Sequence, residues 1–133
     1  MKAIKAKVTR ALQNGTIMET CDNSGAKVVK VISIVGSKTV KGRKPAGGVG
    51  ALIQVAVKSG KQDVRKQVMF AVITRQKKEF RRLDGTRIKF EDNSCIILKD
   101  EKGNPKGTTI KGAVAKEVCE RWPAIAKMAN IVV

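Results

Sequence analysis

Apolar and polar positions alternate along most of this chain at the period of a strand, and a helical period appears only near the end. Residues 16–20 predict a first strand. Asp22-Asn23-Ser24-Gly25 closes it, a group whose side chains favour a turn through local hydrogen bonds and glycine's freedom. Residues 26–35 predict a second strand, rich in Val and Ile. Simple alternation puts Val29, Val31 and Ser33 on one face and Val28, Lys30, Ile32 and Ile34 on the other. Residues 36–50 mix glycines, a proline and four basic residues and read as a long loop. Two more β-branched runs follow at 49–58 and 67–75, joined by a basic connection at 59–66. Residues 79–83 and 86–90 flank Asp84-Gly85, a strong hairpin signal. Residues 94–98 predict the last strand, ending in a turn at 101–104.

Then the period changes. Ala115, Val118, Cys119 and Trp122 fall at i, i+3, i+4 and i+7, one apolar helical stripe. Pro123 breaks that helix and opens a second short one over 124–129. Short strands at regular spacing point to a small barrel or sandwich. The expected fold is therefore all-β: a β-barrel with basic loops over 1–110 and a helical tail over 111–133 that packs back on it, in one domain. The length of 133 residues supports this, since such a chain buries roughly 65–70% of its unfolded surface without metal or disulfides.

Charge changes the picture most. Lys and Arg number 28 against 11 Asp and Glu, a net +17, which repels itself unless a polyanion compensates it. Nucleic acid is the first partner to consider. Histidine is absent, which excludes a His-based triad, a His metal ligand and an imidazole base. Cys21, Cys95 and Cys119 stand far apart without zinc-ligand spacing, so each reads as a small core filler in a reducing compartment. The longest uncharged stretch, 13 residues at 45–57, falls short of the ~20 a spanning helix needs, so no membrane is expected. The basic N-terminus lacks a signal peptide's apolar core, and a soluble intracellular protein is expected.

Few motifs suggest chemistry. Gly42 to Gly47 has the outer spacing of a phosphate loop but lacks the Lys-Ser/Thr that meets phosphate and magnesium. Asp22, Glu91, Asp92 and Asp100 are candidates for a magnesium pair, yet each lies beside a turn, where Asp serves local hydrogen bonding. No catalytic residue, metal, cofactor or small-molecule substrate is expected. Residues 75–89 are the most informative stretch, with seven basic residues against Glu79 and Asp84. So charged a hairpin cannot sit in a core, and should project as a ribbon into solvent or a partner. With only Phe70, Phe80, Phe90 and Trp122 as aromatics, base stacking has few platforms. Recognition should rest on phosphates and shape, as for a folded RNA or a duplex. A DNA-coating chromatin protein and a nucleotide-dependent enzyme remain the alternatives.

The expected RNA contacts are Lys38, Lys41, Arg43 and Lys44 in the glycine-rich loop, and Lys58, Lys61, Arg65 and Lys66 around the connection. Arg75, Lys77, Lys78, Arg81, Arg82, Arg87 and Lys89 join them from the ribbon. The tail is nearly neutral, so Lys116, Glu117, Glu120 and Arg121 are expected to meet protein, with Glu117 and Glu120 exposed and Trp122 anchoring the tail.

Four segments carry a family resemblance: Asp22-Asn-Ser-Gly-Ala26, Arg75-Gln-Lys-Lys-Glu-Phe-Arg-Arg-Leu-Asp-Gly85, Phe90-Glu-Asp-Asn-Ser94 and Gly103-Asn-Pro-Lys-Gly107. In order and spacing they resemble large-subunit ribosomal protein number fourteen, from about Gly15 onward. The N-terminal extension and residues 113–126 resemble its archaeal and eukaryotic branch. Thr74 departs from the pattern, which usually has an aliphatic residue there. The resemblance implies a five-stranded barrel, a projecting β-ribbon and short C-terminal helices. It also implies a cytoplasmic protein that binds large-subunit ribosomal RNA and meets small-subunit RNA in inter-subunit bridges. Implied neighbours are large-subunit proteins three and twenty-four, with a subunit anti-association factor docking on this surface.

Overall fold

A computed structural model describes all 133 residues. In chain order its elements are β1 (Leu12–Gln13), β2 (Ile17–Thr20), β3 (Ala26–Ile34), β4 (Ala46–Gly47), β5 (Leu52–Gly60), β6 (Val68–Arg75), β7 (Phe80–Arg81), β8 (Arg87–Ile88), β9 (Ser94–Leu98), β10 (Ala113–Val114), α1 (Lys116–Arg121), α2 (Pro123–Met128) and β11 (Ile131–Val132). Strands β2, β3, β5, β6 and β9 close into a barrel. All its pairings are antiparallel except β2 with β9, which seals it in parallel. No helix is long and apolar enough to cross a membrane.

Two cores share the same strands. Inside the barrel lie Met18 of β2 and, one residue in two along the other four strands, Val29, Val31, Ile53, Val55, Val57, Ala71, Ile73, Cys95 and Ile97. The opposite faces of β6 and β9 are also buried, through Val72, Ile96 and Leu98, beneath Phe80, Val118, Trp122 and Ile125. That double burial explains why β9 is apolar at nearly every position instead of alternating. The tail packs on the barrel as expected, and the Trp122 indole N–H donates to the Gly50 carbonyl at 3.0 Å.

Alternation fails within β3. The register slips between Val31 and Ser33, leaving Ile32 as the extra residue of a β-bulge. The phase therefore flips: Ile34 turns into the core and Ile32 is 42% exposed, against the expectation that they share a face. Strand β5 begins at Leu52 and not at Val49, because Gly48 to Ala51 makes a tight turn with Gly50 at φ +83°. Pro123 opens α2 as expected.

Candidate nucleic-acid interface

The glycine-rich loop leaves the barrel after β3 and leaves Lys38, Lys41, Arg43 and Lys44 exposed. Gly36 and Gly42 adopt positive φ at its two bends. The connection after β5 turns on backbone bonds from Val64 and Arg65 to the Lys61 carbonyl, and Val64 plugs the barrel end. That turn leaves Lys58, Lys61, Arg65 and Lys66 exposed. In the ribbon, alternation sorts the residues by side. Phe80 is fully buried and Ile88 and Phe90 pack against the outer core, while Lys77, Lys78, Arg81, Arg87 and Lys89 face outward. Asp84 tightens the tip by accepting from the Thr86 amide and hydroxyl, bonds that hold its carboxyl below the ordinary range.

Thirteen of the fifteen expected RNA residues are thus exposed cations, ten on loops and turns and three (Lys58, Arg81 and Arg87) in strands. The other two are joints. Arg75 makes a two-pronged ion pair with Asp92, Nε to Oδ1 at 2.9 Å and Nη2 to Oδ2 at 3.0 Å. Its Nη1 donates to the Lys111 and Ala113 carbonyls, so the guanidinium ties β6 to the tail's entry. Arg82 pairs with Glu117, Nε to Oε1 at 2.8 Å, and donates to the Val133 carbonyl. Glu117 is 3% exposed, which corrects the expectation of an exposed tail carboxylate. The cause is Arg82, whose guanidinium crosses from the ribbon and makes burial of that charge tolerable. Of the other tail residues, Lys116 and Glu120 are exposed and Arg121 is half-buried against Trp122.

Several residues that sequence reasoning missed hold this arrangement together. Gln76 is fully buried; its Oε1 accepts from the Val49 amide at 2.9 Å, and its Nε2 donates to the Thr9 and Lys78 carbonyls. One amide thus joins the N-terminal segment, the glycine turn and the ribbon base. The alternation Val72, Thr74, Gln76 continues one buried face and was the available signal. Asn23 Oδ1 accepts from the Thr108 and Thr109 amides, and buried Asp22 accepts from the Ile97 amide and the Ser24 hydroxyl. Burial pushes the Asp22 carboxyl up, against those bonds. Thr74, the departure from the family pattern, is satisfied by the Ser94 carbonyl and hydroxyl, and lies 3.4 Å from Cys21 Sγ. The N-terminal segment adds cations. Its Lys7 amide donates to the Arg81 carbonyl, and Lys5, Lys7, Arg81 and Arg82 line one cavity of about 230 Å³.

Three of the four carboxylates weighed for magnesium, Asp22, Asp92 and Asp100, have local partners. Asp92 holds Arg75, and Asp100 accepts from the Lys102 and Asn104 amides, which lowers its pKa together with the Asn104 side chain. No three His, Cys, Asp or Glu side chains come together as a metal site.

Comparison with known proteins fits this picture of a basic surface on a closed barrel. Residues 11–133 match the family model described as ribosomal protein L14p/L23e. The chain belongs to that family. The large ribosomal subunit protein uL14 of Nanoarchaeum equitans (strain Kin4-M) is 53% identical over 133 residues, covering all of both chains. The protein of the same name from Methanothrix thermoacetophila is 50% identical over 133 residues, again covering both fully. That from Methanococcus maripaludis (strain DSM 14266) is 48% identical over 132 residues, 99% of each. The L14p/L23e family is a structural, non-enzymatic one, and the relatives are of archaeal type.

Proposed function

We propose that this chain is a structural constituent of the large ribosomal subunit, working in the cytoplasm, that holds large-subunit ribosomal RNA on one continuous basic surface. The observation that carries the reading is the separation of cations by use. Those on the loop, the connection and the ribbon face solvent without an internal carboxylate, except Arg87 with Glu79, while Arg75 and Arg82 serve the fold. A net charge of +17 then awaits an external polyanion. The near-neutral tail supports the second half of the proposal: contact with neighbouring large-subunit proteins, three and twenty-four in the family, and with the anti-association factor. Position at the subunit interface, touching small-subunit RNA, follows from the family reading.

The test is equilibrium binding of a large-subunit rRNA transcript across a salt series. Six to ten phosphate contacts lower affinity roughly 10³–10⁵-fold between 50 and 200 mM salt. Fractionation separates this reading from a chromatin protein, since release from large subunits by RNase supports it and release from the nucleoid by DNase refutes it. A binding constant independent of salt also refutes it.

A further inference from the structure

Between the N-terminal segment, the start of the glycine-rich loop and α1 lies a cavity of about 390 Å³. Ile4, Val8, Ile34 and Leu52 contribute aliphatic side chains to its walls, and the glycines at 47 and 48 let Val8, Ile34 and Ala51 close in beneath it, where a Cβ would be crowded. Arg10, Lys38 and Arg121 stand on the same lining, and no carboxylate does. Arg121 is the unusual member. It forms no ion pair, its Nε–H is buried without a hydrogen-bond acceptor, and its guanidinium lies 5.9 Å from the Trp122 ring centroid. Burial pushes its pKa down, as expected for a cation held in apolar surroundings without a counter-charge. A buried donor left unmade costs free energy, and within the fold only the approach to the Trp122 ring stands against that cost. Three cations without a carboxylate partner around a cavity of small-ligand size with a mostly polar lining, one of them over the Trp122 ring, describe a site for an anion that carries a flat group to lie on the Arg121 guanidinium.

We infer that this cavity takes one unpaired nucleotide of the bound RNA, with its base against the Arg121 guanidinium and its phosphate between Arg10 and Lys38. The stack would then run base, guanidinium, indole, a platform that needs no further aromatic residue. RNA is favoured over an acidic protein segment by what continues from the site. Lys38 leads directly into Lys41, Arg43 and Lys44, all exposed, so a phosphate chain leaving the cavity keeps meeting cations. This inference rests on the RNA-binding reading above and moves Arg121 from the protein side of the molecule to the RNA side.

The test uses the full chain, a large-subunit rRNA transcript and three variants checked for folding by thermal melting. Arg121→Met removes the platform and its charge. Ala6→Phe fills the cavity from its half-buried wall and leaves every charge in place. Arg81→Met serves as a phosphate-contact reference outside the cavity. Both cavity variants should lose roughly 5–100-fold in affinity, the range of one base-stacking contact. Both should keep the salt slope, since the phosphate lies between Arg10 and Lys38, and both should lose protection of the same nucleotide in chemical probing. Trp122, the only tryptophan, should change its emission on titration with a single-stranded oligonucleotide and not with a duplex of equal length. If both variants bind and protect like the parent while Arg81→Met weakens, the cavity inference is wrong and the RNA reading stands. If the parent itself shows no salt-dependent RNA binding, the underlying reading falls with it. Emission that responds to polyglutamate and not to single-stranded RNA would overturn the inference in favour of a protein occupant.

Discussion

Arg82 and Glu117 give the sharpest test of how the basic surface divides between fold and partner. The pair spans 35 residues, joins the ribbon to α1, and has side-chain exposures of 18% and 4%. Removing one partner of a fully buried pair costs about 3–5 kcal/mol, because the other charge is left without water or counter-charge. Arg82 retains some solvent, so about 2–4 kcal/mol is expected for Glu117→Leu or Arg82→Met. An unfolding entropy of about 2.1 cal/mol/K per residue gives roughly 0.28 kcal/mol/K for 133 residues. Each kcal/mol then lowers Tm by about 3.6 °C, and either single variant should lose roughly 7–14 °C. The double variant Arg82→Met with Glu117→Leu should regain most of that loss, since two apolar groups replace two charges. Calorimetry of the four proteins yields the coupling, which should exceed about 1 kcal/mol. In RNA binding below its melting temperature, Arg82→Met should keep the parent salt slope while Arg81→Met flattens it by about 0.7–0.9. An Arg82→Met protein that melts with the parent and loses a unit of salt slope would refute the assignment. Arg82 would then be a phosphate contact.

Four further outcomes follow from the geometry. Arg75→Lys should melt well below the parent although charge is kept, because an ammonium cannot serve both Asp92 oxygens and the Lys111 and Ala113 carbonyls at once. Gln76→Leu should cost about 1–3 kcal/mol by stranding the buried Val49 amide, and limited proteolysis should then cut the N-terminal segment first. Burial raises the Asp22 carboxyl pKa, so the folded chain binds more proton than the unfolded between the ordinary carboxylate pKa and the raised one. Stability contributed by this group therefore falls as pH rises through that window, and Asp22→Asn should remove that slope in melts from pH 3 to 6. Burial pushes all three thiols up, and with Cys119 half-buried and the others buried, a thiol reagent should label Cys119 first and Cys95 last.

Much of the barrel was legible because its strands announce themselves by composition. The run at 94–98 reads as a strand from β-branched content and is one, with identical bounds. Trp122 and its stripe read as a helix face that must find cover, and they did. The bulge at Ile32 was not legible, because it is set by pairing with β5, a partner more than twenty positions away. The two structural arginines were hidden for the same reason. In the sequence Arg81 and Arg82 are adjacent and equivalent, and only the approach of Glu117 from the tail distinguishes them. Gln76 was overlooked because a polar residue at the end of a strand reads as the start of solvent, whereas three chain segments converge on its amide.

The segments that carry the family resemblance acquire a physical meaning from these joints. Asp22 and Asn23 bind backbone amides at Ile97 and at Thr108 and Thr109, and Gly107 lies so close to Asn23 that a Cβ there would collide with its amide oxygen. Arg75 reaches Asp92, and Asn93 accepts from the Lys77 amide, which fixes the angle at which the ribbon leaves β6. At these positions the motifs shape the presenting loops, while Lys77, Lys78 and Arg81 in the same stretch stay exposed. Residue type agrees with that division. The two guanidiniums locked inside use their planar fork on a carboxylate and on carbonyls, where an ammonium would fit poorly. Outside, nine of the thirteen exposed cations at the expected positions are lysines, compact charges on flexible stems. Such groups suit attraction to a phosphate chain whose positions vary, where counterion release matters more than any single geometry. A surface built this way should tolerate loss of one lysine, because counterion release is spread over many cations, whereas loss of a joint should show first as a lower melting temperature.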